Sequence, residues 1–388
     1  MSMPGAVLVR PRAALIGACL AGLALALAGC SNATSSPVTV TGKTLTIYAS
    51  QPPGGAGGAT VTDVLDAERL ALAQAGSRVG AFAVRLDRVD DHETSEDART
   101  AIQDQSAIAY LGEIVPGTSG VSVQITNEVG LLQVSPTDTA VYLTQSDPTV
   151  SDSPGTFYPS SSTYHETFAR VVPTTVQEAK AIIGEMASLH LSKVYVGSDG
   201  GQYGDSIAAQ VRKDASGGAM SVVSSAADAD AVFYGGNDVA TAAKAVAAAA
   251  SANPSAKLFV PSGLYEDAFV SALSPAAQKN LYVSSPGIPP GSLSASGQQF
   301  ESAFRSAYGH APVPQAIFGY EAMSAVLAVL KQAGTKAGNR ATVVSDFHSL
   351  TNRQSVLGTY SIKGGDTTLD SFVFARVHGG SLVESGQG

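Results

Sequence analysis

Short apolar runs of β type alternate with longer Ala-rich helical stretches from Thr44 onward, and this rhythm limits the fold more than any other feature. TLTIYA (44–49) precedes a Gly/Pro loop and the helical VTDVLDAERLALAQA (61–75), and AFAVRL (81–86) precedes a polar helix over 95–105. AIAYLG (107–112), a helix over 117–128 and LLQVSP (131–136) continue the pattern. Strand, helix and strand at this spacing form right-handed βαβ units, whose parallel sheet is covered on both faces.

Between Asp138 and Tyr164 the rhythm stops in a stretch rich in Ser, Pro, Asp and Thr, as at a functional loop or a boundary. FARVVP (168–173) restarts it, followed by a helix over 175–189, KVYVGS (193–198), a helix over 205–215, AVFYGG (231–236), a helix over 239–252 and KLFVPS (257–262). LYVSSP (281–286) and a Pro/Gly/Ser stretch to Gly297 mark a second crossing, and helices over 298–308, 316–332 and 341–350 follow it. GTYSIKG and SFVFARVHGG are expected to close the fold as two strands around a Gly-Gly-Asp turn.

The predicted architecture is therefore α/β, with two doubly wound parallel-sheet lobes of similar size in succession. One connection is too short for the pattern. Only AADAD separates MSVVSS (220–225) from AVFYGG, whereas a parallel crossover needs about ten or more residues. Either MSVVSS is not a parallel neighbour of AVFYGG, or lobe 2 has lost a helix.

Composition removes several function classes. Asp and Glu (32) outnumber Lys and Arg (23) and no basic run occurs, which argues against a nucleic-acid partner. The six His residues (92, 165, 190, 310, 348, 378) have no metal-ligand spacing, and no metal is expected. No G-x-S-x-G elbow is found, and GGAGGAT (54–60) lacks the Lys of a phosphate-binding loop. Asp90-Asp91 precedes a polar helix and is read as a solvated cap. No enzyme and no cofactor are predicted, for want of a nucleophile–base constellation.

The N-terminus is an address. Arg10 and Arg12 precede an uncharged apolar run from Ala13 to Gly29, too short to span a bilayer but fitting a secretory signal over residues 1–29. Leu27-Ala28-Gly29-Cys30 resembles a bacterial lipobox, which implies that Cys30 is lipidated and becomes the mature N-terminus. Loss of Arg10 and Arg12 with the signal takes the formal charge from −9 to −11. Residues 30–43 are expected to be a flexible tether. The expected location is extracytoplasmic, anchored to the bacterial cell membrane through lipid on Cys30.

Ligands of open α/β sheets sit beyond the carboxyl ends of the strands, here in loops starting at Ser50, Glu113, Ser135, Asp199, Asn237 and Gly263. With IAYLGEIVPGTSGVSVQITNEVGLLQVSPTDTAVYLTQ, YHETFARVVPT, KVYVGSDGGQYGDSIA, DAVFYGG, AKLFVPSGLYEDAF and AIFGYEAMSAVLAVL in this order, the chain resembles a type I periplasmic binding protein of the branched-chain amino acid (Leu/Ile/Val) group. The resemblance implies two lobes joined by three crossings, expected near 171–173, 284–290 and 357–360, with lobe 1 over 44–171 and 286–356 and lobe 2 over 172–285 and 357–388. It also implies a ligand trapped by lobe closure, delivery to an ABC permease, and no catalytic residues. It further implies a ligand carboxylate held by Gly117, Thr118 and Ser119, with Thr137, Asp138 and Thr139 in the next turn. On lobe 2 it implies contacts from Tyr203, Asn237, Gly263 and Glu266. Two departures stand out: Pro116 has no N–H to offer at the start of the carboxylate turn, and Ser262-Gly263-Leu264 replaces an acidic residue that commonly holds an amino group. The function implied is capture of an amino acid, amide or related carboxylate for import. A receptor-like sensory lipoprotein, using the same lobes to signal to a partner, is the alternative.

Overall fold

Leu45, Ile47 and Ala49 on one face of the first strand and Thr46 and Tyr48 on the other are all buried, as a parallel strand covered on both faces requires. The computed structural model describes residues 38–52, 57–89, 93–218 and 220–384, which fall within one compact unit, Pro37–Gly388. The signal segment, Cys30 and most of the expected tether, the glycines of 54–55 and Asp90-Asp91 lie outside the described residues. The last expected tether residues are fixed: Val40 is buried and donates its N–H to Gly338 O (2.8 Å), and Arg340 N–H donates to Val38 O (3.0 Å).

The first sheet contains β1 (Thr44–Ser50), β2 (Arg78–Val79), β3 (Phe82–Val89), β4 (Ala107–Leu111), β5 (Leu132–Ser135) and β6 (Phe168–Arg170). Its order is β2-β3-β1-β4-β5-β6, with every pair parallel except β2 and β3. Between the strands run α1 (Gly58–Gln74), α2 (Thr94–Gln103), α3 (Ser119–Asn127) and the short α4 (Ser161–Tyr164). The chain then enters lobe 2 through α5 (Thr175–Ser188), β7 (Lys193–Ser198), α6 (Gln202–Ser216), β8 (Ser221–Val223), β9 (Ala231–Gly235) and α7 (Val239–Ala252). It continues through β10 (Lys257–Val260), α8 (Asp267–Ser271), α9 (Pro275–Asn280) and β11 (Leu281–Pro286).

After β11 the chain returns to lobe 1 as α10 (Ala295–Tyr308), α11 (Ala316–Ala333) and α12 (Arg340–His348), which share one core with β1 and β4. Gly319 lets α11 press onto α1, because a Cβ there would lie 2.4 Å from Val64 O. Two hairpins follow, β12 (Arg353–Ser355) with β13 (Gly358–Tyr360), and β14 (Ile362–Lys363) with β15 (Asp366–Thr367). Last come β16 (Phe372–His378) and β17 (Ser381–Glu384), which complete the lobe 2 sheet in the order β17-β16-β11-β10-β9-β7-β8.

Two sequence expectations need correction, and one open alternative is decided. The third crossing does not fall at 357–360: Val356, Leu357, Tyr360 and Ile362 are buried in the lobe 1 core, and Tyr360 donates its hydroxyl to Glu321 of α11 (2.7 Å). The hand-over comes at about 368–371, so both hairpins belong to lobe 1 and lobe 2 regains the chain only at β16. GTYSIKG and SFVFARVHGG accordingly do not pair; β16 pairs antiparallel with β11 and β17, and the Gly364-Gly365 turn closes β14 on β15. The short AADAD link is explained by position, since β8 sits at the sheet edge beside β7 and β7 separates it from β9. No covering helix is needed, and Val222 of that edge strand is 40% exposed.

The first crossing is braced from the far end of the chain. Fully buried Arg170, the last residue of β6, pairs with Asp366 Oδ1 through Nε (2.9 Å). Its backbone N–H donates to Gly365 O (2.8 Å), and its other guanidinium nitrogens donate to Asp138 O (2.8 Å) and Thr144 Oγ1 (3.0 Å).

Candidate ligand cleft

The lobe 1 wall is built by lacing together the loops after β4 and β5. Ser135 Oγ donates to Glu113 O (2.6 Å) and accepts from Asp138 N–H (2.8 Å), while Thr137 Oγ1 donates to Ile114 O. Beneath them the Glu113 carboxyl accepts from Ser50 Oγ (2.5 Å) and Tyr110 OH (2.8 Å), and burial pushes its pKa up to about 7. Ser119 Oγ accepts from Glu113 N–H (3.0 Å), and Thr118 Oγ1 donates to Val115 O (2.7 Å). The hydroxyls of Ser119 and Thr137 are thus used inside lobe 1, and Ser119 is fully buried.

Asp138 holds the centre of this wall. Its Oδ1 accepts from Gly117 N–H (2.7 Å) and Ala140 N–H (3.0 Å), and its Oδ2 accepts from Ser119 N–H (2.9 Å). Gly117 adopts φ +87°, a left-handed conformation open to glycine, and a Cβ there would lie 2.5 Å from Tyr203 Cβ. This position demands glycine twice over.

Lobe 2 closes directly onto that wall. Tyr203, in the first turn of α6, is 3% exposed and packs between Gly117 and Gly263, where a Cβ would meet its Cε1 at 2.9 Å. Asn237 Nδ2 donates to Pro116 O (2.8 Å), and Asp238 beside it caps α7 by accepting from Thr241 N–H (2.7 Å). Ser206 Oγ donates to Asp147 Oδ2 (2.5 Å), which ties α6 to the long loop between β5 and β6. At the other end of the seam Thr60 Oγ1 donates to Tyr265 O (3.2 Å), and the half-buried Glu266 carboxylate accepts from Gly57 N–H ahead of α1.

Between the walls lies a buried polar cluster that the sequence reading missed. Glu178, in the first turn of α5, accepts from Ser262 N–H (2.6 Å), Ser284 Oγ (2.7 Å) and Thr139 Oγ1 (3.3 Å). Burial raises its pKa, against the opposing pull of those bonds. Tyr203 OH lies within reach of Ser262 and Thr139, and Ser262 Oγ within reach of Glu178, yet neither hydroxyl completes a well-aligned hydrogen bond among the described residues. Burial and the neighbouring Glu178 hold the Tyr203 phenol well above its ordinary range. Two orphan hydroxyls in one seam are the unusual feature, because buried polar groups are otherwise almost always paired.

Of the residues expected from sequence, Gly117, Asp138, Thr139, Tyr203, Asn237 and Gly263 converge on this seam. Thr118 faces an open groove with Gln202 and Phe157 rather than the seam itself. Ser119 and Thr137 point into lobe 1, and Glu266 stands at the far end by α1. Glu178 was not legible as a site residue, since TVQEAKAI reads as an ordinary helix start; its capping box from Thr174 and Gln177 was the visible signal. Among the described residues there is no cluster of three or more potential metal ligands, and no helix long and apolar enough to cross a membrane.

Residues 46–380 match the periplasmic binding protein family. The chain belongs to that family. Solved structures agree with the fold of this periplasmic binding protein. A leucine-binding protein from Thermotoga maritima is similar at a TM-score of 0.71 and 19% identity, over 88% of this chain and 98% of that one. A branched-chain amino acid transporter substrate-binding protein from Streptococcus pneumoniae, in complex with isoleucine, is similar at 0.69 and 18%, over 88% and 100%. A solute-binding protein from R. palustris, in complex with benzoate, is similar at 0.68 and 20%, over 88% and 95%. No curated protein matches the sequence.

Proposed function

We propose that this periplasmic binding protein captures a small polar organic molecule in the seam between its lobes and delivers it to an ABC permease. The observation that carries the reading is the pair of buried, unpaired hydroxyls of Tyr203 and Ser262, one on α6 and one after β10, beside Glu178. A ligand that bonded both would satisfy groups that otherwise weaken the closed state, so closure and capture would be one event. Membership of the family and structural neighbours that hold isoleucine and benzoate support capture of a small organic ligand. The basic and apolar N-terminal segment ending at Cys30 supports export and lipid anchoring, which would keep the protein near its permease.

The test is a thermal-shift screen of the purified protein against amino acids, amides, amines and polyols, with small-angle scattering on any hit. A ligand at 100 times its Kd stabilises the fold by about 2.7 kcal/mol. Tyr203→Phe should weaken the hit by about 1–3 kcal/mol. Failure of every class to shift the melting temperature refutes solute capture.

A further inference from the structure

The lobe 1 wall contains a finished carboxylate site that is already filled. Three backbone N–H groups, from Gly117, Ser119 and Ala140, converge on the Asp138 side chain at 2.7–3.0 Å. Two of them open α3, where unpaired N–H groups and the helix dipole favour an anion. Of the groups between them, Thr118 N–H bonds Val115 O (3.2 Å) and Pro116 has no N–H. Asp138 is itself fully buried and fixed from behind, its N–H on Ser135 Oγ and its carbonyl under Arg170. Directly across Gly117 stands Tyr203, whose unpaired hydroxyl and that of Ser262 border Glu178. A ligand carboxylate entering here would find the N–H groups of Gly117, Ser119 and Ala140 already used, and would meet two buried carboxyl groups.

We propose that Asp138 is an internal substitute for a ligand carboxylate, so that the cleft selects a small carboxylate-free molecule whose hydroxyl, amide or amine groups pair with Tyr203 and Ser262. This rests on the reading of the seam as a solute site. It also makes Asp138 a specificity determinant rather than a ligand contact: removing it vacates three aligned donors.

Calorimetry and thermal shift decide it with matched probes: L-leucine against L-leucinamide, benzoate against benzamide, and acetate alone. With the parent protein, no carboxylate should bind more tightly than its amide counterpart. With Asp138→Ala, acetate should raise the melting temperature, and the carboxylates should bind about tenfold tighter than to the parent. The proposal is overturned if the parent prefers a carboxylate to its amide, or if Asp138→Ala gains nothing from acetate. Should Asp138→Ala not fold, the paired probes on the parent decide alone. A carboxylate preference in the parent would leave solute capture standing. Silence of the parent across the full screen of amino acids, amides, amines and polyols, with acetate rescue of Asp138→Ala, would instead sink capture and keep the internal carboxylate.

Discussion

Glu68 should destabilise the native protein at neutral pH, and replacing it with Met should make the protein more stable. Glu68 lies in α1 and is fully buried, and neither carboxyl oxygen has a hydrogen-bond partner among the described residues. Burial pushes its pKa up to about 8 from 4.5, with Arg88 and Arg69 offsetting only part of the shift. The folded state therefore holds a proton that the unfolded chain has released. A raised acid is at its most favourable below pH 4.5, and that stability is lost as pH climbs toward 8. At about 1.4 kcal/mol per pH unit the penalty reaches roughly 3 kcal/mol at pH 7 and grows no further above about pH 8. For ~350 ordered residues at about 2.1 cal/mol/K each, this corresponds to ~4 °C in Tm. Calorimetric scans of the parent, Glu68→Met and Glu68→Gln should be compared between about pH 5 and pH 9. The Met variant's advantage should be small at the acid end, widen to pH 8 and then stay level. Glu68→Gln should lose the same pH dependence while keeping an unpaired polar group. An advantage for Met that does not change between pH 5 and pH 8 would show that Glu68 does not titrate there, and the reasoning would fail.

Three further outcomes are expected. Arg170→Met should lower stability in urea by about 3–5 kcal/mol, because the mostly buried Asp366 loses its cation; a loss under about 1 kcal/mol would refute the brace. Gly319→Ala should cost about 3 kcal/mol by forcing α11 off α1, and a neutral melting temperature would mean the helices can slide apart freely. Asn237→Ala and Ser206→Ala each remove one bond between the lobes, worth about 1 kcal/mol, and should shift the closed-to-open ratio about fivefold. Scattering that shows no change in radius of gyration for the double variant would count against those two contacts as latches.

The lobes were legible in the sequence because parallel strands buried on both faces leave continuous apolar runs, and β1, β4, β9 and β10 all carry one. The third crossing was not. Val356, Leu357 and Tyr360 are as apolar as a lobe 2 strand would be, and only the packing of the folded lobe, including the Tyr360 bond to Glu321 on α11, decides which core they join. The same holds for the site. Strand ends mark the loops that carry the site, and Gly117, Tyr203 and Gly263 within them come from the resemblance to the binding-protein family. The role of Asp138 depends on N–H groups of Gly117 and Ser119, which lie 21 and 19 residues away, and no local pattern announces such a contact. Glu68 and Glu178 sit on helices where sequence periodicity alone cannot separate a solvated carboxylate from a buried one.

The Arg170–Asp366 pair also bears on how the cleft opens. Arg170 ends β6 just before the chain first leaves lobe 1, after the buried Val171 and Val172, and Asp366 lies just before it leaves for the last time. With Arg170 N–H also bonded to Gly365 O, these two departing strands are riveted together at one edge of the lobe. Neither can swing on its own. Rotation has to be taken up in the few residues beyond the rivet and the buried Val171 and Val172, about 173–174 and 368–371, which therefore act as a single two-ply leaf of a hinge. Its other leaf is the return strand at Gly287, where Val373 packs close enough to exclude a Cβ. An axis pinned in this way permits a door-like swing of lobe 2 and resists twisting or sliding, so the two walls of the seam should meet in the same register at every closure.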